Sequence, residues 1–175
     1  LKTYGDTPKS IDALAVTVGP GLIGSLLVGV EAAKALSIAW DKPLIPVNHL
    51  VGHIYGNFID SSKEVTFPAL VLIVSGGHTD FILMRNHGDL EYLGGTLDDA
   101  DGEAFDKTAR LLGLAKYLGG VQLSNLAATC TKNLALGYLP RPMIEQPNYE
   151  VSFSGLKTAV KRLIEKNQFT PDVIA

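Results

Sequence analysis

From Asp12 to Val18 the chain reads Asp-Ala-Leu-Ala-Val-Thr-Val, a β-type run closed by the turn Gly19-Pro20-Gly21. Leu22 to Ala39 is apolar and of helical length, and Leu44 to Val47 is a short buried strand. Strand, crossover helix and strand of these lengths predict a βαβ unit with parallel pairing. His49 to Ile59 predicts a second helix, and the polar link Lys63 to Phe67, ending at Pro68, is the expected domain boundary. Beyond it, Ala69 to Val74 is continuously apolar and is expected as a central strand. Ser75-Gly76-Gly77 breaks it, Thr79 to Arg85 resumes, Asn86-His87-Gly88-Asp89 turns, and Leu90 to Leu93 pairs back as a meander. Ala100 to Leu112 places Ala104, Phe105, Ala109 and Leu112 at helical spacing, with Asp98 and Asp99 as starting caps. Val121 to Leu136 and Gly155 to Lys166 predict further helices, separated by a proline-rich connection from Leu139 to Pro147. The pattern is that of an α/β protein.

Composition narrows the class. The chain has 175 residues, 46% hydrophobic and 19% charged, enough to bury a substantial core. A net charge of −3 and a pI near 5.8 argue against gripping nucleic acid by diffuse basic charge. They leave open a shaped RNA site, or one completed by a partner. The single cysteine, Cys130, forms no internal disulfide, which fits a reducing, cytoplasmic setting. Gly19 to Trp40 is apolar enough to imitate a membrane span, but Glu31 and Lys34 lie inside it. The expectation is a buried helix of a soluble protein. No initiator Met or apolar leader opens the chain, and Pro171 to Ala175 reads as a helix beginning, so a piece of a longer protein is expected.

Four motifs carry candidate chemistry. His49 and His53 are four apart, so on a helix both imidazoles share a face and can meet one metal ion. A zinc protease would need a glutamate directly after the first histidine, and the residue there is Leu50. Val74-Ser75-Gly76-Gly77-His78 ends a strand in a turn that can bring backbone N–H groups to an anion, or can be a simple β-turn. In Thr96 to Lys107, acidic residues crowd a helix start, where the helix dipole favours them. Gly102 in the first turn implies close approach by something, and Asp106, one turn on, is placed to bond a ribose hydroxyl. Ser154-Gly-Leu-Lys157 matches the Ser-x-x-Lys of penicillin-binding enzymes but lacks their companion motifs, so Ser154 is expected as a helix N-cap.

Six blocks occur in order: Gly19 to Gly29, His49-Leu-Val-Gly-His53, Val74 to Thr79, Gly102-Glu-Ala-Phe-Asp-Lys107, Pro140-Arg-Pro142 and Phe153-Ser-Gly-Leu-Lys157. Together they closely resemble the TsaD family, also called Gcp, YgjD or Qri-type, over nearly the whole chain. The resemblance implies an actin-like, sugar-kinase-like (ASKHA) ATPase fold of two ribonuclease H-like lobes, incomplete at both ends. Residues 1–66 would be the later part of the first lobe and 67–175 the first part of the second. It implies transfer of threonylcarbamoyl from threonylcarbamoyl-adenylate to N6 of the adenosine 3′ of the anticodon, in tRNAs reading codons that begin with A.

The same resemblance implies a site. His49 and His53 would be metal ligands, for iron or alternatively zinc. Ile73, Val74, Ser75, Gly76, Gly77, Asp106 and Gly120 would contact the adenylate or an adenine nucleotide. Expected partners are tRNA and TsaB-like and TsaE-like proteins, with no membrane. The family's opening strand would precede Leu1, while a third metal ligand, an aspartate, and a nucleotide-contacting asparagine would follow Ala175. The fragment alone is therefore expected to be inactive. Where the family carries Tyr-Pro-Gly-Gly-Pro, this chain has Tyr117-Leu118-Gly119-Gly120-Val121, and Asp101 adds a charge where the family has alanine. A non-catalytic nucleotide-binding scaffold is the second reading, since relatives of that kind lack the histidines. The old glycoprotease label is the third, and Leu50 weighs against it.

Overall fold

The computed structural model describes residues 8–59, 64–130, 137–166 and 169–174. The chain is mixed α/β and falls into two compact units, Leu1–Val65 and Thr66–Ala175.

The first unit is a βαβ element. After a short 3-10 turn at Pro8–Ser10, β1 (Leu14–Gly19) pairs in parallel with β2 (Leu44–Asn48), with Leu14 opposite Leu44 and Thr17 opposite Val47. The crossover is α1 (Ile23–Trp40), one residue displaced from the predicted span. It packs on β1 and β2. Its half-buried positions are Leu26, Val30, Ala33, Ser37 and Trp40, a stripe at helical spacing. The expectation of a buried helix is corrected here: none of its residues is fully buried, and Leu22, Ile23, Leu27, Val28 and Ile38 around it are exposed. A two-stranded sheet covers one stripe of a helix that is apolar on every side. By length and composition α1 would also suit a membrane span, though it carries the Glu31–Lys34 ion pair at 2.7 Å. The unit ends in α2 (His49–Gly56), shorter than predicted because the chain turns at Asn57 to Ile59.

The second unit begins with an antiparallel sheet in the order β3 (Ala69–Val74), β4 (Thr79–Asn86), β5 (Asp89–Gly95). Arg85 and Glu91 form an ion pair across the β4–β5 pair. The predicted central strand is, among the described residues, an edge strand. Although β3 is apolar throughout, its burial alternates: Ile73 is buried while Leu70, Leu72 and Val74 are exposed. Successive side chains on a strand point to opposite faces, and only one face is covered here.

Among the described residues four helices follow: α3 (Asp101–Leu111), α4 (Gly120–Thr129), α5 (Ser154–Glu165) and α6 (Pro171–Ile174). The predicted helix over 121–136 ends at Thr129, and 131–136 lie outside the described residues. Helix α3 packs against both α4 and α5. The core of this unit contains Ile73, Met84, Ala104, Ala109, Leu123, Val160 and Leu163. Small side chains on α3 let its neighbours come close: a β-carbon at Gly119, just before α4, would lie 2.4 Å from the Ala109 methyl. Val151 joins the sheet end through a parallel bridge to Thr96, which brings the start of α5 beside the β5–α3 loop.

Candidate functional site

In the first unit the side chain of Asn48 starts α2, its Oδ1 accepting the amides of Leu50 at 2.9 Å and Val51 at 3.3 Å. This cap puts His49 in the first turn and His53 one turn on, both exposed. Their Nε2 atoms lie 3.1 Å apart. Two nitrogens held about 2.0–2.1 Å from one ion, at an octahedral or tetrahedral angle, are separated by about 2.9–3.4 Å. The pair therefore fits two ligands of one metal. The same distance suits an N–H···N hydrogen bond when one ring carries the proton. Among the described residues no third His, Cys, Asp or Glu joins them.

In the second unit the Ser75–His78 turn is closed by a hydrogen bond from the Ser75 amide to the His78 carbonyl at 2.9 Å. Its Gly77 and His78 amides, at 3.3 and 3.0 Å, both donate to Ser75 Oγ. Both N–H groups are thus spent on the serine oxygen, which leaves the Ser75 hydroxyl proton as the donor of this turn. The close approach implied at Gly102 is to this turn. A β-carbon there would lie 2.9 Å from the Ser75 carbonyl oxygen and 3.0 Å from Gly76 Cα.

Asp106 and Gly120, fourteen residues apart, meet directly: Asp106 Oδ1 accepts the Gly120 amide at 3.0 Å. Asp106 thereby caps α4, whose own N-cap position is Gly119 and offers no side chain. Leu118 adopts φ +49°. A proline ring is locked near about −65°, so this loop has a backbone that a proline at 118 would not permit.

The acidic residues before α3 do not cap it, contrary to expectation. The N-cap position is Ala100, with no side-chain hydrogen bond. Asp98 instead caps α5. Its Oδ1 accepts from the Phe153 amide at 2.8 Å and the Ser154 amide at 3.2 Å, and its Oδ2 from the Ser152 hydroxyl at 2.5 Å. Burial works to raise the Asp98 pKa, but these bonds outweigh it and hold the carboxyl below its ordinary value. Ser154, expected as an N-cap, is the first residue of α5, and the cap position is Phe153 without a side-chain bond. A serine at that point has lost its capping role to a carboxylate 56 residues away.

Asp99 pairs with Lys107 at 2.5 Å, and Lys107 also meets Glu103 at 2.9 Å. The Lys107 hydrogen bond, against burial, lowers the Asp99 pKa, and the same bond raises that of Lys107. Asp101 is raised by burial.

The second unit thus brings the Ser75–Gly77 turn to Gly102 and Asp106 to Gly120, all through α3. Ile73 and Val74 enter as the strand end leading into that turn. The open cavity of about 470 Å³ beside α5, lined by Tyr138, Leu139, Pro140, Thr158, Arg162 and Lys166 among others, includes none of these residues. Sequence reasoning missed Thr79, a buried polar residue in the same stretch. Its presence in an otherwise glycine-rich turn motif was the available signal. The capping role of Asp98 had no local signal.

A family model described as "TsaD: tRNA N6-adenosine threonylcarbamoyltransferase" matches residues 1–175. A protein of Thermomicrobium roseum is 53% identical over 176 residues, covering 98% of this chain and 47% of its own length. One of Bacillus subtilis is 53% identical over 160 residues, 91% of this chain and 44% of its own. One of Staphylococcus saprophyticus is 52% identical over 160 residues, 91% and 45% respectively. All three carry the name tRNA N6-adenosine threonylcarbamoyltransferase. The chain spans about half the length of these curated relatives. With the match running from the first residue to the last, this chain belongs to the TsaD family.

Proposed function

We propose that this chain is part of a cytoplasmic, two-lobed, actin-like enzyme that transfers threonylcarbamoyl from threonylcarbamoyl-adenylate to N6 of the adenosine 3′ of the anticodon in tRNA. The observation that carries this reading is the family match over residues 1–175, joined by relatives at 52–53% identity that are named for that reaction. The donor is an activated acyl phosphate. The N6 amine attacks the carbamoyl carbonyl, a C–N bond forms, the C–O bond to phosphate breaks, and AMP leaves with the electron pair while N6 loses a proton. The protein's task is then to hold an anionic donor against a weak nucleophile, and positioning does much of that work.

The residues divide that task. Ser75 Oγ accepts from two turn amides, so its own proton is free to point outward to a phosphate oxygen. Asp106 spends Oδ1 on Gly120, which leaves Oδ2 for a ribose hydroxyl. Ile73 and Val74 aim the turn, and Gly120 lets the backbone approach the nucleotide. His49 and His53 would hold iron, or zinc, with a third ligand from the rest of the protein. Such an ion supplies polarisation of a donor carbonyl. With two ligands the chain alone should bind metal weakly and transfer nothing. The partners we propose are tRNA and TsaB-like and TsaE-like proteins. Retention of both histidines favours the enzyme over a non-catalytic scaffold subunit.

The test is threonylcarbamoyl transfer to tRNA by the complete protein, with its partners and the adenylate donor supplied. Transfer is expected. Its absence, with donor and tRNA intact, sinks the reading.

A further inference from the structure

Thr79 has no part in the reaction as set out above, although it directly follows the Ser75–His78 turn. It is the first residue of β4 and is only 4% exposed. Its hydroxyl accepts the amide of Asp101, the first residue of α3, at 2.9 Å. Ala100 occupies the N-cap position and offers no side chain. A residue 22 positions earlier therefore satisfies one of the free N–H groups at the start of α3, where position 100 supplies no side-chain acceptor. The Thr79 carbonyl also accepts the Thr96 amide at 2.8 Å. One side chain and one backbone group of Thr79 thus tie down both ends of the β5–α3 loop.

Two independent contacts set the gap between α3 and the turn. One is the Thr79–Asp101 hydrogen bond, and the other is the close approach of Gly102 to Ser75 and Gly76. Everything that α3 carries depends on that gap, including Asp106 and, through it, Gly120.

We propose that Thr79 is a positioning residue for the adenylate, its hydroxyl holding α3 with Asp106 and Gly120 at a fixed separation from the Ser75–Gly77 turn. This rests on the adenylate reading of that site. Thr79 touches no reacting atom in this scheme. Valine in its place keeps the branched shape but leaves the Asp101 amide without its acceptor. Serine keeps the hydroxyl and loses only a methyl.

The experiment uses the complete protein as wild type, Thr79→Val and Thr79→Ser, with AMP as the probe. Two quantities are measured: AMP affinity by calorimetry and amide hydrogen exchange at Asp101 and across the turn. Thr79→Val is expected to weaken AMP about tenfold and to speed Asp101 exchange by a similar factor, the scale for a buried donor stripped of its acceptor. Thr79→Ser is expected to restore both. A folded Thr79→Val protein with wild-type AMP affinity overturns the proposal, as does a Thr79→Ser protein equally impaired. Should Thr79→Val fail to fold, Gly102→Ala disturbs the same gap from its other contact, and wild-type AMP affinity there also overturns it. A wild-type protein that binds no AMP defeats the adenylate reading and this inference together. Wild-type binding with an unaffected valine variant defeats this inference alone.

Discussion

The two units build their candidate chemistry in opposite ways. In the first, the residues that could hold an ion are His49 and His53, one helical turn apart on α2, with Asn48 capping the same helix. Every contact in that arrangement spans four residues or fewer. In the second unit the decisive contacts span 14 residues from Asp106 to Gly120, 22 from Thr79 to Asp101 and 56 from Asp98 to Ser154. A pair at helical spacing needs only the helix, whereas a site stitched from a strand end and three helix starts needs the whole fold in place. The first arrangement should survive perturbation elsewhere and fail only when its own residues change. The second should be sensitive to residues that touch no ligand.

The largest expected effect breaks the local side of this contrast. In the complete protein, His49→Ala removes one of two adjacent ligands, and bound iron or zinc measured by plasma emission should fall by more than about tenfold. Unchanged metal content would exclude His49 as a ligand.

Gly102→Ala tests the assembled side. The added methyl meets backbone atoms that cannot swing away. Overpacking of this kind costs about 1–3 kcal/mol, readable as a lower urea midpoint. A midpoint equal to that of the wild type would mean that α3 and the turn are not in close contact.

Asp98→Asn keeps an acceptor at the start of α5 but removes its charge, and should cost about 0.3–1 kcal/mol. The pH dependence has a definite sign. The folded-state pKa of Asp98 is depressed, so its contribution is present above the ordinary value of 3.8 and is lost as pH falls through the lowered folded value. Acid titration of unfolding should therefore lose part of its slope between pH 3.8 and that lowered value in the Asn variant. An unaltered acid limb would place the capping carboxylate elsewhere. Glu31→Ala, which breaks an exposed pair on α1, should change stability by less than about 0.5 kcal/mol. A larger loss in a thermal melt would show that α1 depends on its ion pair rather than on its stripe.

The order and type of nearly every element were legible in the chain, because each rests on local period and punctuation. Pro20-Gly21, Ser75-Gly76-Gly77 and His87-Gly88 all fall in turns or bends, while Gly19 closes β1. The misreadings share one cause. Asp98, Asp99 and Ser154 stand where local rules assign caps, yet Asp98 caps a distant helix, Asp99 pairs with Lys107, and Ser154 caps nothing. Local rules rank the acceptors nearest in sequence, while the folded chain offers acceptors nearest in space. Burial was misjudged for the same reason on β3 and α1, whose apolar composition states what could be covered and not what covers it.

By itself the sequence determined the βαβ unit, the meander, the helical spacing of the histidines and the ordered blocks that mark the family. The first three follow from side-chain periods of two and 3.6 residues and from the backbone freedom of glycine, while the blocks mark the family by resemblance alone. Only the tertiary structure decided that α3 joins the Ser75–Gly77 turn to Asp106 and Gly120, and that Thr79 and Asp98 cap helices they do not belong to. Hydrogen bonds and close approaches act over a few ångströms, and which groups come within that reach is settled by chain crossings that no window of sequence contains.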